Sequence, residues 1–272
     1  MPDGLSLNAN CSTVTIAASV KKAPAKTEVR CSFDSAQAAL EFVLAGESPN
    51  IIAFGETHPK QGANDLPTSL MFFADQLLPL LQQRGYNDLV LESLMSGSSA
   101  DLFPPNSINN KGAAPALIRK AQELRLNIYG GVPSHHDQER FDIYDQNSLT
   151  GSRSDRLFKK ITRRTKEQVL ALLKHGEQKV ITYNGGLHND IAGDYQKAGL
   201  SFGKFFRGNT RYKYTELDIL TPELMDKGRF DRHTYPEYAD WLRSAVPQKG
   251  VMLIQRVKGS YTIILPAGTL AP

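Results

Sequence analysis

The feature that most constrains this chain is a short apolar run that breaks into a glycine turn and then a histidine, and it occurs twice. Ile51-Ile-Ala-Phe-Gly-Glu-Thr-His58 is the first occurrence, and Lys179-Val-Ile-Thr-Tyr-Asn-Gly-Gly-Leu-His188 is the second. Four successive apolar residues bounded by a turn read as a strand buried on both faces, and such strands belong to parallel sheets sandwiched between helices. Leu89-Val-Leu91, which ends directly at Glu92, and Leu126–Tyr129, which stops at Gly130-Gly131, repeat the pattern.

Helical periodicity fills the intervals. Ala36, Ala39, Leu40, Val43 and Leu44 form a stripe behind Asp34, which predicts an N-cap there with Gln37 at the reciprocal position and an end at Gly46. Leu70, Phe73, Ala74, Leu77, Leu78 and Leu81 predict a helix up to Gly85, kinked at Pro79. Further helices are expected at 114–124, 154–174 and 189–198, and Trp241 is expected to pack a C-terminal helix onto the sheet. Val251–Val257 and Tyr261–Leu265 flank Lys258-Gly-Ser260 as a hairpin would. The expected fold is therefore α/β: a mostly parallel central sheet with helices on both faces and a C-terminal β-hairpin.

Residues 1–30 are rich in Ser, Thr, Ala, Asn and Lys without a sustained period, and they read as a disordered leader preceding a single domain over 31–272. The start has no apolar run of the kind a secretory signal needs, and no stretch is long and apolar enough to span a bilayer. The two cysteines, Cys11 and Cys31, predict no disulfide framework and a reducing compartment. Net charge is +4, with a basic cluster over 153–166 whose counter-charge is Asp155 alone. No nucleic-acid partner is expected, and the cluster reads as a solvated helix face or a surface for an anionic partner.

In open α/β sheets, ligands bind beyond the carboxyl ends of the strands. Glu56 and His58 follow the first strand, Glu92 the second, His136 the third and His188 the fourth, so acid and imidazole groups converge on one side. Glu56, His58, Glu92 and His188 are the candidate catalytic set. Of these, His58, Glu92 and His188 are candidate ligands for a divalent metal such as zinc or manganese, which would activate bound water. Without a metal, a histidine oriented by a glutamate is a general base. Gly55, Gly185 and Gly186 are expected to let backbone N–H groups approach a substrate, and His136, Arg153 and Arg156 are further candidate substrate contacts.

Gly55-Glu-Thr-His58, Leu89-Val-Leu-Glu92 and Asn184-Gly-Gly-Leu-His188, in that order, resemble the erythromycin esterase/ChaN-like superfamily, which includes the TIKI proteases and a domain of the Pasteurella multocida toxin. The resemblance spans roughly residues 33–200. It implies an α/β fold in which Glu56, His58, Glu92 and His188 line one pocket. Members of that group open a macrolide lactone, cleave peptides with a metal, or bind haem, so the fold leaves the activity open. Arg153-Ser-Asp-Arg156 stands where many members carry an Arg-Asp or Arg-Asn pair.

Three functions follow as expectations. The first is a hydrolase of a small-molecule or protein substrate, metal-assisted or not. The second is a protein binding haem or another small ligand. The third is an effector that contacts a host protein through its basic helix. The leader, the few cysteines and the basic face look like a bacterial type III effector of the HopBA type, which places the chain in the host-cell cytoplasm. The bacterial cytoplasm is the alternative.

Overall fold

The computed structural model of the 272-residue chain describes residues 9–16, 26–56, 69–95, 113–132, 152–174, 178–192, 200–225 and 238–270. Its strands are β1 (Asn10–Ile16), β2 (Lys26–Phe33), β3 (Ile51–Glu56), β4 (Asp88–Met95), β5 (Asn127–Val132), β6 (Val180–Gly185), β7 (Tyr214–Leu220), β8 (Val251–Val257) and β9 (Ser260–Ile264). The helices are α1 (Ala36–Glu47), α2 (Ser69–Phe72), α3 (Leu78–Gln83), α4 (Ala113–Glu123), α5 (Ser152–Leu173), α6 (Gly186–Asn189), α7 (Gly203–Arg207), α8 (Pro222–Met225) and α9 (Tyr238–Ser244). The fold is α/β with a mixed nine-stranded sheet, and β8 and β9 form the antiparallel C-terminal hairpin that the sequence predicts. The chain divides into two compact units. One holds Met1–Ser48, Thr57–Ser69 and Leu217–Pro272, and the other holds Pro49–Glu56 and Leu70–Glu216.

The first unit corrects the reading of the leader. Residues 10–16 and 26–33 are paired antiparallel strands, and β2 pairs in turn with β8. Cys11 lies opposite Cys31 in that ladder, and the two form a disulfide, contrary to the expectation of free thiols in a reducing compartment. The pairing is invisible to composition because β1, Asn-Cys-Ser-Thr-Val-Thr-Ile, is an edge strand with mostly exposed side chains and no apolar face. Replacing Cys11 with serine is expected to lower stability by roughly 2–3 kcal/mol, because the bond crosslinks positions 20 residues apart. Thermal melts with and without dithiothreitol measure this. A serine variant that melts with the oxidised wild type would show the crosslink to be idle.

In α1 the cap is Ser35 rather than Asp34: its side chain accepts from the Ala38 N–H at 3.2 Å. The helix continues through Gly46, and Ser48 takes the left-handed terminal position at φ 46°. Gly250 has φ +65°, and a Cβ there would sit 2.1 Å from the Phe33 carbonyl oxygen, so β8 can begin beside β2 only with glycine at that position.

In the second unit β3 pairs parallel with β6, β6 with β4, and β4 with β5. Leu70, Phe73, Ala74, Leu77, Leu78 and Leu81 are all buried, as their spacing predicts. The predicted kink at Pro79 takes a specific form. Phe73–Leu77 is a π-helical turn in which the Leu78 N–H reaches the Phe73 carbonyl, and Pro79 falls in the first turn of α3, where a missing N–H is harmless. The Phe73 ring lies 4.6 Å from Phe54 and 4.7 Å from Tyr183, which seats this turn against β3 and β6. Tyr86 donates its hydroxyl to the Pro49 carbonyl at 2.7 Å, and burial pushes its phenol well above the usual tyrosine range. Helix α5 buries Ile161, Thr162, Thr165, Val169 and Leu173.

Of the helix expected at 189–198, Asn189 closes α6, Asp190–Ala192 is not helical, and 193–198 lie outside the described residues. The backbone donors that would extend it are taken by side chains: Ile191 N–H by Glu216 at 2.7 Å and Ala192 N–H by Asp190 at 2.7 Å.

Candidate functional site

Gly185 is the point on which the site is built. It ends β6, faces Glu56 in the β3–β6 register, and donates its N–H to Glu92 Oε2 at 2.5 Å. Glu92 can reach it because the β4–β5 register shifts between Leu91 and Met95, which turns the strand out of its ladder at this residue. The other carboxylate oxygen of Glu92, Oε1, lies 3.4 Å from His188 Nε2. A glutamate from β4 and a histidine from α6 therefore meet beyond the carboxyl ends of neighbouring parallel strands.

His188 is buried with its side chain 4% exposed, whereas Glu92 is 21% exposed, so the pair is approached from the carboxylate side. On the far side of the ring, His188 Nδ1 lies 2.7 Å from Thr162 Oγ1 and 3.2 Å from the Leu200 carbonyl oxygen, to which Thr162 donates at 2.8 Å. The Phe158 ring packs 5.8 Å from the imidazole and is 38% exposed. Thr162 and Phe158 lie one turn apart on α5, so the long helix supplies both a polar and an apolar wall.

Asn189 ties the strand ends together. Its Nδ2 donates to the Phe54 carbonyl at 2.6 Å, just before Gly55-Glu56, and its Oδ1 accepts from Asn184 at 3.2 Å. Its own carbonyl accepts the Tyr214 hydroxyl at 2.8 Å. The ends of β3 and β6 are thus fixed by one side chain that is fully buried.

Of the candidate residues, Glu92 and His188 meet beside Gly185, and Glu56 stands opposite Gly185 in the strand register. Glu56 is buried at the end of β3. Gly55 and Gly185 lie within β3 and β6, and Gly186 opens α6. The Gly185 N–H, expected to meet a substrate, is engaged by Glu92. His58 and His136 lie outside the described residues. Arg153 and Arg156 fall in the first turns of α5, with their side chains outside the description. Thr162, Asn184 and Asn189 were not anticipated. The usable signal was polar residues at buried positions: Thr162 on the apolar stripe of α5, and the asparagines flanking Gly185–His188.

Among the described residues no group of three or more His, Cys, Asp or Glu side chains is arranged to hold a metal ion. Glu92 and His188 supply two donors, and each carboxylate oxygen of Glu92 already faces a partner. They are two of the three ligands expected for a divalent metal; the third, His58, lies outside the described residues.

Fold and site together define an α/β protein with a carboxylate–imidazole pair at the carboxyl edge of parallel strands. A solved structure of ChaN from Campylobacter jejuni, described as showing cofacial heme binding, is similar to the chain with a TM-score of 0.41 and 13% identity, covering 71% of this chain and 87% of that one. No protein-family model and no curated protein matches the sequence.

Proposed function

We propose that the Glu92–His188 pair is the polar anchor of a small-ligand-binding site. The observation that carries this reading is the asymmetry of the pair. A buried imidazole is fixed from behind by Thr162 and the Leu200 carbonyl, and its Nε2 faces a partly exposed carboxylate at a strand end. Binding sites of α/β sheets lie at such ends, with a few placed polar groups against an apolar wall. Phe158 supports the apolar part of that description.

Hemin is the first probe, since the sequence resemblance names it. A titration followed by absorbance is expected to saturate with the wild-type chain. Binding should weaken roughly 10- to 100-fold in His188→Ala, the loss of a hydrogen bond to a charged or coordinated group. Glu92→Ala should act in the same direction. Binding that survives both substitutions at full strength would remove the pair from the site.

The exposure of Glu92 also favours a second reading, a hydrolase in which the Glu92 carboxylate, held by His188 Nε2 and the Gly185 N–H, is the general base toward water. Turnover of a nitrophenyl ester, lost in His188→Ala, would select it over binding alone. Action inside a host cell as a delivered effector accords with either reading.

A further inference from the structure

The charge of this molecule is distributed in a way that neither reading uses. Helix α5 carries seven lysines and arginines against Asp155 and Glu167, a net of +5. Residues 200–213 carry Lys204, Arg207, Arg211 and Lys213 with no acid, a net of +4. Together these segments hold +9 of a chain whose total is +4, so all other residues sum to −5. The two segments adjoin. Thr162 of α5 donates to the Leu200 carbonyl, and the Lys166 ammonium lies 4.8 Å from the centre of the Phe205 ring in α7. Lys204, Arg207, Arg211 and Lys213 are exposed, as are Lys159 and Arg163 of α5. Among the described acids of this surface, Glu167 is held by Arg163 at 3.8 Å and Arg164 at 3.2 Å.

Within this basic field Phe205 is 43% exposed, one of three large apolar side chains so placed among the described residues. An exposed phenyl ring amid lysines and arginines costs hydration free energy unless something apolar covers it. We propose that this surface docks on an anionic lipid membrane, with the basic residues on the headgroups and Phe205 inserted at the acyl boundary. Basic side chains are drawn to anionic leaflets, and one aromatic ring adds an apolar foothold without a spanning segment. No described helix is long and apolar enough to cross a membrane, so attachment is peripheral.

One observation favours lipid over nucleic acid. The Phe205 ring has the Lys166 ammonium over one face and Phe206 perpendicular to it at 5.2 Å, which makes it a poor platform for a stacked base. It remains a suitable wedge for lipid.

The test is co-sedimentation of the full chain with phosphatidylcholine vesicles with and without phosphatidylserine. Binding is expected on the anionic vesicles alone and should fall as salt rises. The double variant Lys204→Ala/Arg211→Ala should bind roughly 30-fold more weakly. Phe205→Ser should also weaken binding, at unchanged charge and with little change in salt dependence. Unaltered melting temperatures would show that both variants fold. The proposal is overturned by no binding to either vesicle, by equal binding to both, by variants that bind as the wild type does, or by an RNA oligonucleotide that binds where vesicles do not. Hemin binding by the same variants is a separate readout, so failure here leaves the Glu92–His188 site untouched.

Discussion

Glu28→Ala is expected to destabilise the first unit by about 3–5 kcal/mol, enough to unfold a marginal protein at moderate temperature. Glu28 and Arg30 are two apart on β2, so both point to the same face, and both are buried, at 4% and 7% exposure. Glu28 Oε2 accepts from Arg30 Nε at 3.4 Å and Nη2 at 3.3 Å, and both carboxylate oxygens lie 3.1 Å from Trp241 Nε1. Arg30 Nη1 reaches on to the Ser244 hydroxyl at 3.0 Å and the Ser244 carbonyl at 3.3 Å. This network docks α9 on β2. Alanine at 28 leaves a guanidinium buried without counter-charge and an indole N–H without its acceptor, which is the costly way to break a buried pair. Replacing both partners, as Glu28→Leu/Arg30→Met, should recover much of the loss, because an apolar pair has no charge to strand. Urea midpoints of the single and double variants measure this, with exposed Glu123→Ala as reference. A Glu28→Ala midpoint indistinguishable from that of Glu123→Ala would mean the network holds nothing together.

The second large effect joins packing to the site. A Cβ on Gly203 would lie 2.1 Å from the Asn189 carbonyl oxygen, 2.7 Å from Ile191 Cγ2 and 2.9 Å from the Tyr214 hydroxyl. The nearest of these is backbone, one residue from His188, and cannot swing away as a side-chain tip can. Gly203→Ala must therefore push α6 off its seat, break the Tyr214–Asn189 hydrogen bond, or both. The expected cost is about 3 kcal/mol or more, with hemin binding reduced along with stability. Gly46→Ala is the control: no atom lies within 4 Å of the added methyl, and in the last turn of α1 it should stabilise by up to about 0.5 kcal/mol. If the two variants melt alike, α6 is not held where the structure has it.

The strands β3, β4 and β6 were legible because they are buried on both faces and therefore written in uninterrupted apolar residues. Strand β7 was not, although its residues are buried throughout: Glu216 and Asp218 break the run of Tyr-Thr-Glu-Leu-Asp-Ile-Leu. Their burial is made tolerable by partners far away in sequence, the Ile191 N–H for Glu216 and Arg256 at 3.2 Å for Asp218. Strand β2 was hidden in the same way, since Glu28 and Arg30 look like leader residues until Trp241 is placed against them. Local pattern reports which residues are apolar; it does not report which polar residues have been paired. The site divides along that line. Glu56, Glu92 and His188 stand at strand ends and could be picked out. Thr162, 26 residues before the histidine it touches, carries no signal of spacing.

The Cys11–Cys31 bond closes a covalent ring on the chain. A protease that cuts once anywhere between the two cysteines opens that ring without releasing a fragment. The nicked protein would gain only one water, and β1 would stay attached to β2. Only after reduction would a gel show two pieces. The ring thus serves as an internal record of cleavage, readable by comparing reduced with unreduced samples.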